Sequence, residues 1–393
     1  MKKRMIALLL CICCLTALFG CAVPEEHRFV NPTEWVEWEP TNPPAVKPTD
    51  PAPAETKPQH LTAKDMAKRL SDRDLVAQLF LVKCPADGAA KLLRDHHVGG
   101  IILYSSDVSG HTPATLSAEL SDWQERSPIP LIVAVDEEGG DVVRLSNNKN
   151  FRSERFPAPS EVYYEGGLDA LRDIEAEKAE LLKSCGINVN LSPVCDVVSE
   201  ETGFMASRSL FQTAKTTGKA VSTMVKTMQG RGIGAVLKHF PGYGNLTGDT
   251  HTGKVVDDRD KEFLQAYDFV PFEYGIRAGA GAVMVGHSIV NKLDPTAPAS
   301  LSGEVHRVLR KELGFQGVII TDDLTMGAVT DTYESGEAAV QALHAGNDLL
   351  ITAWSEHQFN AIYEALTDGR LSRKTLENCA ERIIQWKMDL GLL

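Results

Sequence analysis

Five short apolar runs in this chain end on side chains that can hold or transfer a proton. Asp136 follows PLIVAV, Asp196 follows INVNLSPVC, Lys238 and His239 follow GAVL, His287 follows AVMVG, and Asp322 and Asp323 follow GVIIT. Such groups are costly to bury unless they pair with one another or with a ligand. Any one of them reads equally well as a structural ion pair, but five such endings together read as a catalytic mouth. With no cofactor motif beside them, they suit hydrolysis or group transfer on a polar substrate. Cleaving a glycoside needs a nucleophile or base on one side of the scissile bond and a proton donor on the other. Asp322 is the candidate nucleophile. No lone Glu stands out as its partner. Instead, Lys238-His239-Phe240-Pro241-Gly242-Tyr243-Gly244 is followed by Asp249-Thr250-His251. Asp249 can orient the His251 imidazole and stabilise its charged form, which makes His251 a general acid/base on a Gly-flanked loop.

The elements that must position these groups follow from periodicity. Eight short, nearly all-apolar runs read as strands: Leu79–Lys83, Gly99–Tyr104, Pro130–Val135, Ile187–Ser192, Gly234–Lys238, Ala282–Val285, Gly317–Thr321 and Asp348–Thr352. Between them lie amphipathic stretches such as Leu168–Ser184, Thr213–Gln229, Lys261–Ala278 and Ser335–Ala345. Runs of this kind fit parallel strands covered on both faces. Eight β–α units in about 330 residues predict an α/β fold, a (β/α)8 TIM barrel, with function at the C-terminal ends of its strands. A doubly wound sheet is the main rival, but no Gly-rich phosphate turn follows the first strand.

At this point the sequence resembles the family 3 glycoside hydrolases, in particular β-N-acetylglucosaminidases of the NagZ type, over roughly residues 61–390. Asp136-Glu137-Glu138-Gly139-Gly140 with Arg144 is similar to the family's DxEGG…R block, and Arg208 lies in an SRSLF stretch like its RSF. Lys238–Gly242 matches KHFPG, the Asp-x-His dyad falls 11 and 13 positions after Lys238, and Thr321–Met326 resembles the (S/T)DxLxM nucleophile block. The resemblance implies a retaining enzyme. Asp322 forms a glycosyl-enzyme, His251 is the acid/base and Asp249 its orienting partner. Asp136, Arg144, Arg208, Lys238, His239, His287 and Met326 line the sugar site. Adjacent strand residues point to opposite faces, so only one of Asp322 and Asp323 can point inward; the resemblance favours Asp322, and Asp323 then becomes a structural hydrogen-bond partner. Tyr243 stands where many relatives have His, Asn245 and Leu246 replace an Asp-Thr pair, and Thr250 replaces Ser. The implied substrate is a glycoside with terminal N-acetylglucosamine (GlcNAc), a peptidoglycan fragment or a related compound, with water or phosphate as acceptor. A β-glucosidase or β-xylosidase is the alternative inside the family. That branch usually places a carboxylate acid on another domain. Outside it stand a metal-dependent barrel hydrolase, a Schiff-base aldolase using Lys238, and a non-catalytic sugar-binding lipoprotein. The first would need an HxH after the first strand, which this chain lacks.

Length and charge divide the chain. Of 393 residues with a net charge of −13, residues 1–21 carry +3 and residues 22–60 carry −4, leaving −12 on residues 61–393. That acidity argues against a nucleic-acid partner, which needs a basic face. Residues 1–21 read as an export signal: Lys2, Lys3 and Arg4, an apolar stretch too short for a comfortable span, then Leu18-Phe19-Gly20-Cys21, which resembles a lipobox. Cys21 is then the lipidated first residue of the mature chain; a plain cleaved signal is the alternative. Residues 22–60 hold nine of the 20 prolines and read as a disordered tether, with Trp35 and Trp38 as linker residues or a docking patch. The expected catalytic domain is 61–393. Cys84, Cys185, Cys195 and Cys379 have no CxxC spacing, so no metal site is indicated and buried thiols are expected. The full reading is an extracytoplasmic, membrane-tethered monomer with no cofactor, in contact with the membrane through its lipid alone.

Overall fold

The computed structural model describes residues 61–86, 88–200 and 203–393. The signal segment, Cys21, and Trp35 and Trp38 of the tether lie outside the described residues. The strands are β1 (Phe80–Lys83), β2 (Gly100–Leu103), β3 (Ile132–Val135), β4 (Val189–Asn190), β5 (Gly234–Phe240), β6 (Val256–Asp257), β7 (Ala282–Val285), β8 (Ile289–Val290), β9 (Val318–Thr321) and β10 (Leu350–Ala353). Eight of them form one parallel sheet in the order β10-β1-β2-β3-β4-β5-β7-β9, while β6 pairs with β8 apart from it. The sheet's two ends meet where Ile320 bridges Leu349 and the Thr321 N–H donates to the Leu349 carbonyl at 3.1 Å. This is the expected TIM barrel, and each predicted run overlaps one barrel strand.

The strands are buried because their residues are apolar on both faces: Val82, Ile101, Val133, Val236, Ile320 and Leu350 are each fully enclosed. Burying a side chain of this size contributes about 1.5–3 kcal/mol. The helices cover the outside by their 3.6-residue period. In the helix Ala214–Gln229, Val221, Met224, Val225 and Met228 face inward, and the Thr213 side chain caps the start by accepting from Thr216 N–H.

Three elements differ from the periodicity reading. The strand expected over Ile187–Ser192 is reduced to Val189–Asn190; past it the Ser192 N–H turns back onto the Asn190 carbonyl at 2.8 Å instead of reaching a neighbouring strand. The helical stretch expected to start at Leu168 is preceded by a further helical segment from Pro159, with a break at Gly166 and Gly167. Lys261–Ala278 is two helices, Lys261–Ala266 and Phe269–Arg277. Pro271 explains the break, since its ring clashes with the carbonyl four residues earlier, that of Tyr267. Among the described residues no helix is long and apolar enough to cross a membrane.

Candidate active site

The end of β3 turns sharply through Glu137-Glu138-Gly139-Gly140. Gly139 and Gly140 take φ of 103° and 65°, and a Cβ on Gly139 would lie 2.3 Å from the Pro157 carbonyl oxygen. Only glycine fits such a turn at low cost. The turn aims Glu138 into the barrel mouth, where its carboxylate accepts from Arg208 Nη2 at 2.6 Å and Nε at 3.0 Å. Lys238 Nζ lies 2.6 Å from both Glu138 and Asp136, and Arg144 Nη2 lies 3.4 Å from Asp136. Arg144, Asp136, Lys238, Glu138 and Arg208 therefore form one alternating chain of charge. Burial pushes the Glu138 carboxyl up, but Lys238 and Arg208 outweigh it and hold the group well below the usual carboxylate range. Burial pulls the Lys238 ammonium down, but Asp136 and Glu138 outweigh it and hold the group charged.

Glu137 is spent on backbone. It accepts from the N–H groups of Arg144 and Leu145 at 2.8 Å each, from Ser146 N–H at 3.1 Å, and from the Ser146 hydroxyl. It thereby fixes the segment from which Arg144 projects. The Arg144 guanidinium stands 5.5 Å from the Tyr104 ring centroid. Its Nε is buried without a hydrogen-bond partner, a donor that a substrate oxygen could satisfy.

Lys238 and His239 both reach the mouth although they are neighbours on β5. The register of β5 against β7 shifts between Leu237 and Phe240, and such irregularities re-aim side chains. His239 Nδ1 is held by Asp196 at 2.8 Å, and the other Asp196 oxygen accepts from Tyr243 N–H at 2.6 Å. That leaves Nε2 as the His239 ring nitrogen available to a ligand.

Asp322 follows the last residue of β9. Its N–H donates to the Val285 carbonyl at 2.9 Å, and its carboxylate accepts from Asp323 N–H at 2.8 Å. Burial raises this carboxyl, but His287, His239 and the Asp323 N–H bring it below the usual range. The Lys238 ammonium adds to this lowering. Asp323 is tied down: it accepts from Thr325 N–H at 2.9 Å and from the Thr325 hydroxyl at 2.7 Å, and it pairs with Lys83. Strand alternation does not separate the two aspartates, because β9 ends at Thr321; their partners do.

His287 differs from its expected place among the sugar-holding groups. Its Nδ1 meets the Ser300 hydroxyl at 2.7 Å and its Nε2 the Asp323 carbonyl at 3.0 Å. Both ring nitrogens are consumed within the protein, so His287 braces the turn after Asp322. Met326 is buried, and its N–H closes the same turn onto the Asp323 carbonyl at 3.0 Å.

The Asp-x-His pair sits on the loop between β5 and β6. His251 Nδ1 meets Asp249 Oδ1 at 2.6 Å, and the same oxygen accepts His251 N–H at 2.9 Å. That leaves Nε2 as the nitrogen able to exchange a proton. The loop reaches the nucleophile segment directly: Gly327 N–H donates to the His251 carbonyl and Ala328 N–H to the Thr250 carbonyl, both at 3.1 Å.

A nucleophile candidate and an acid/base candidate are thus brought to one barrel mouth beside a chain of alternating charges. Residues 72–386 match the glycosyl hydrolase family 3 N terminal domain. The chain belongs to glycosyl hydrolase family 3. It is similar to a protein named beta-hexosaminidase from Nitrosomonas eutropha, 31% identical over 257 residues, 65% of this chain and 73% of that one. It is 29% identical to the beta-hexosaminidase LpqI of Mycobacterium bovis over 333 residues, 81% of this chain and 83% of that one. Among solved structures, a family 3 beta-N-acetylglucosaminidase from Paenibacillus sp. superposes with a TM-score of 0.77 at 28% identity, covering 82% of this chain and 63% of that one.

Within this family 3 barrel, Glu138 is the hub that sequence reasoning missed. Three acids in a row, Asp136-Glu137-Glu138, do not by themselves show which one is buried between cations; the two adjacent glycines were the available signal of a tight, buried turn. Glu138→Gln is expected to lower stability by about 3 kcal/mol at pH 7, because it leaves Lys238 and Arg208 short of charge in a buried place. The folded Glu138 titrates below its unfolded value of 4.5. Its stabilisation is therefore complete above that pH and is lost as pH falls from there toward the lower folded value. Urea midpoints of the two proteins should converge in acid; a gap that stayed constant down to pH 3 would show that the charge is not the cause.

Proposed function

We propose that this chain is an exo-acting, retaining β-N-acetylhexosaminidase that releases terminal GlcNAc from peptidoglycan-derived or related glycosides. The observation that carries the reading is the Asp249–His251 pair, held on the loop that contacts the segment following Asp322. Similarity to proteins named beta-hexosaminidase supports it. Asp322 attacks the anomeric carbon while His251 Nε2 gives its proton to the glycosidic oxygen, and the aglycone leaves carrying that proton. A glycosyl ester on Asp322 results. His251 then takes a proton from water, whose oxygen displaces Asp322 and restores both groups. Asp249 holds the imidazole in the tautomer that keeps Nε2 reactive. Asp136, Arg144, Lys238, His239 and Arg208 bind the sugar hydroxyls, directly or through one another, and gain strength as the ring becomes oxocarbenium-like.

The test is product analysis on GlcNAc–anhydro-N-acetylmuramic acid and on chitobiose, followed by NMR from the first turnovers. The expected first product is β-GlcNAc. An α-product would overturn retention, and hydrolysis of aryl β-glucosides but not of aryl β-GlcNAc glycosides would overturn the sugar assignment. A histidine acid/base repels anions less than a carboxylate does, so phosphate is a competing acceptor. GlcNAc-1-phosphate formed in phosphate buffer would show that branch. The same reading takes the enzyme to be exported and anchored by lipid on Cys21, with residues 22–60 as its tether. Metabolic labelling with an alkynyl fatty acid should mark the wild type and not Cys21→Ser.

A further inference from the structure

The Asp249–His251 loop is gripped from two sides at the dyad itself. On one side stands Tyr243. Its hydroxyl donates to the Gly248 carbonyl at 2.9 Å and accepts from Thr250 N–H at 3.2 Å. One phenol oxygen therefore ties the two residues that flank Asp249. The ring cannot drift, because it is buried in a small apolar cluster with Val198, Met205, Leu246 and Val255, against the rim of which Phe204 packs. Phe204 has its centroid 5.7 Å from the Tyr243 ring and 5.8 Å from the His251 ring. The Tyr243 backbone is held too, through the 2.6 Å bond from its N–H to Asp196. That carboxylate is the one that orients His239.

On the other side stands Gly327, five residues after Asp322. Its N–H and that of Ala328 hold the His251 and Thr250 carbonyls. The approach is so close that a Cβ on Gly327 would lie 3.0 Å from the His251 carbonyl oxygen, 3.1 Å from the Thr252 carbonyl carbon and 3.2 Å from Gly253 N. Thr250 is thus held by its N–H from the Tyr243 side and by its carbonyl from the Asp322 side. The peptide that links Asp249 to His251 has little freedom left.

We infer that Tyr243 is a positioning residue for proton transfer: its hydroxyl, working against the Gly327 contact, sets the reach of the Asp249–His251 pair toward the bond cleaved at Asp322. The inference rests on the reading of His251 as acid/base given above. Its physical basis is that proton transfer tolerates little misplacement, with a displacement of about 1 Å costing on the order of 100-fold in rate. A phenol that hydrogen-bonds both flanks of the orienting aspartate limits such displacement, whereas the apolar ring alone fixes only the loop's base. Leu246 in the apolar cluster and Asn245, whose side chain bonds the Ser199 N–H at 2.9 Å and the Ser199 hydroxyl at 3.1 Å, belong to the same packing.

The experiment compares Tyr243→Phe, Gly327→Ala and His251→Ala on aryl β-GlcNAc glycosides with good and poor leaving groups. Tyr243→Phe keeps the ring and its cluster. It is expected to lower kcat about 10-fold on the poor leaving group and less than about 3-fold on the good one, with KM and thermal midpoint near wild type. Gly327→Ala is expected to show the same pattern more strongly, on the order of 100-fold on the poor leaving group. A uniform loss in Tyr243→Phe across leaving groups, or wild-type rates on both, overturns the positioning role if His251→Ala itself shows leaving-group dependence. If His251→Ala loses rate uniformly, the acid/base reading has failed and this inference falls with it. The rate of Asp322 labelling by a fluorosugar with an excellent leaving group should stay near wild type in Tyr243→Phe; a large drop there would mean that the substitution damages the sugar site rather than proton transfer.

Discussion

Asp322→Asn is expected to lower kcat on the order of 10⁵-fold on every aryl β-GlcNAc glycoside while leaving KM and the thermal midpoint close to wild type. Asparagine keeps the shape of the side chain and the oxygen that accepts the Asp323 N–H at 2.8 Å. It loses the charge and the nucleophilic oxygen pair. The structure holds Asp322 ready as an anion, since the groups around it outweigh the cost of its burial. The loss should therefore show in the formation of the glycosyl-enzyme and be independent of the leaving group's need for a proton. Asp322→Ala with azide should restore turnover and give the α-glycosyl azide, because azide then attacks from the face the carboxylate used. A fluorosugar should label Asp322 in the wild type. Asp323→Asn is the control: its oxygens are occupied by Thr325 and Lys83, so it should cost stability and far less rate. Label recovered on Asp323, or equal rate losses in the two variants, would reverse the assignment.

His251→Ala is the second large effect, and its signature is selective. On glycosides with poor leaving groups kcat should fall about 10²–10⁴-fold, the usual worth of a general acid or base. On a leaving group that departs without a proton, formation of the glycosyl-enzyme should stay near wild type. Its hydrolysis becomes the slow step, and the intermediate accumulates as a burst. Asp249→Asn should follow the same pattern more mildly, because the 2.6 Å contact to Nδ1 is what fixes the tautomer with Nε2 available. Equal losses on good and poor leaving groups would remove His251 from the proton-transfer step and return it to sugar binding.

The sequence exposed the candidate reacting groups because each lies at a local landmark. Asp136, Lys238 and Asp322 end β-branched apolar runs, and a run that is apolar on both faces predicts a strand whose next residue meets the mouth. Asp249 and His251 are two residues apart, so their contact needs only a turn. Asp196 was visible as a strand ending, but its work was not: the residue it orients, His239, lies on the neighbouring strand, and the contact exists only once β4 and β5 stand side by side. Glu138 was hidden for the same reason. Its two cations come from the Arg208 loop and from β5, 70 and 100 residues away in sequence.

What the sequence determined by itself was the number of barrel strands, their parallel arrangement, and the identity of the proton-carrying and nucleophilic candidates. These depend on residues two to four apart, within the reach of strand and helix periodicity. The tertiary structure alone decided which charges neutralise one another at the mouth and that His287 serves the turn after Asp322. It also decided that the Asp249–His251 loop is clasped between Tyr243 and Gly327. Those choices belong to barrel closure, which brings strand ends tens of residues apart to within hydrogen-bonding distance. In that buried space each charge or ring nitrogen must find a partner or be left unpaired at a cost of several kcal/mol.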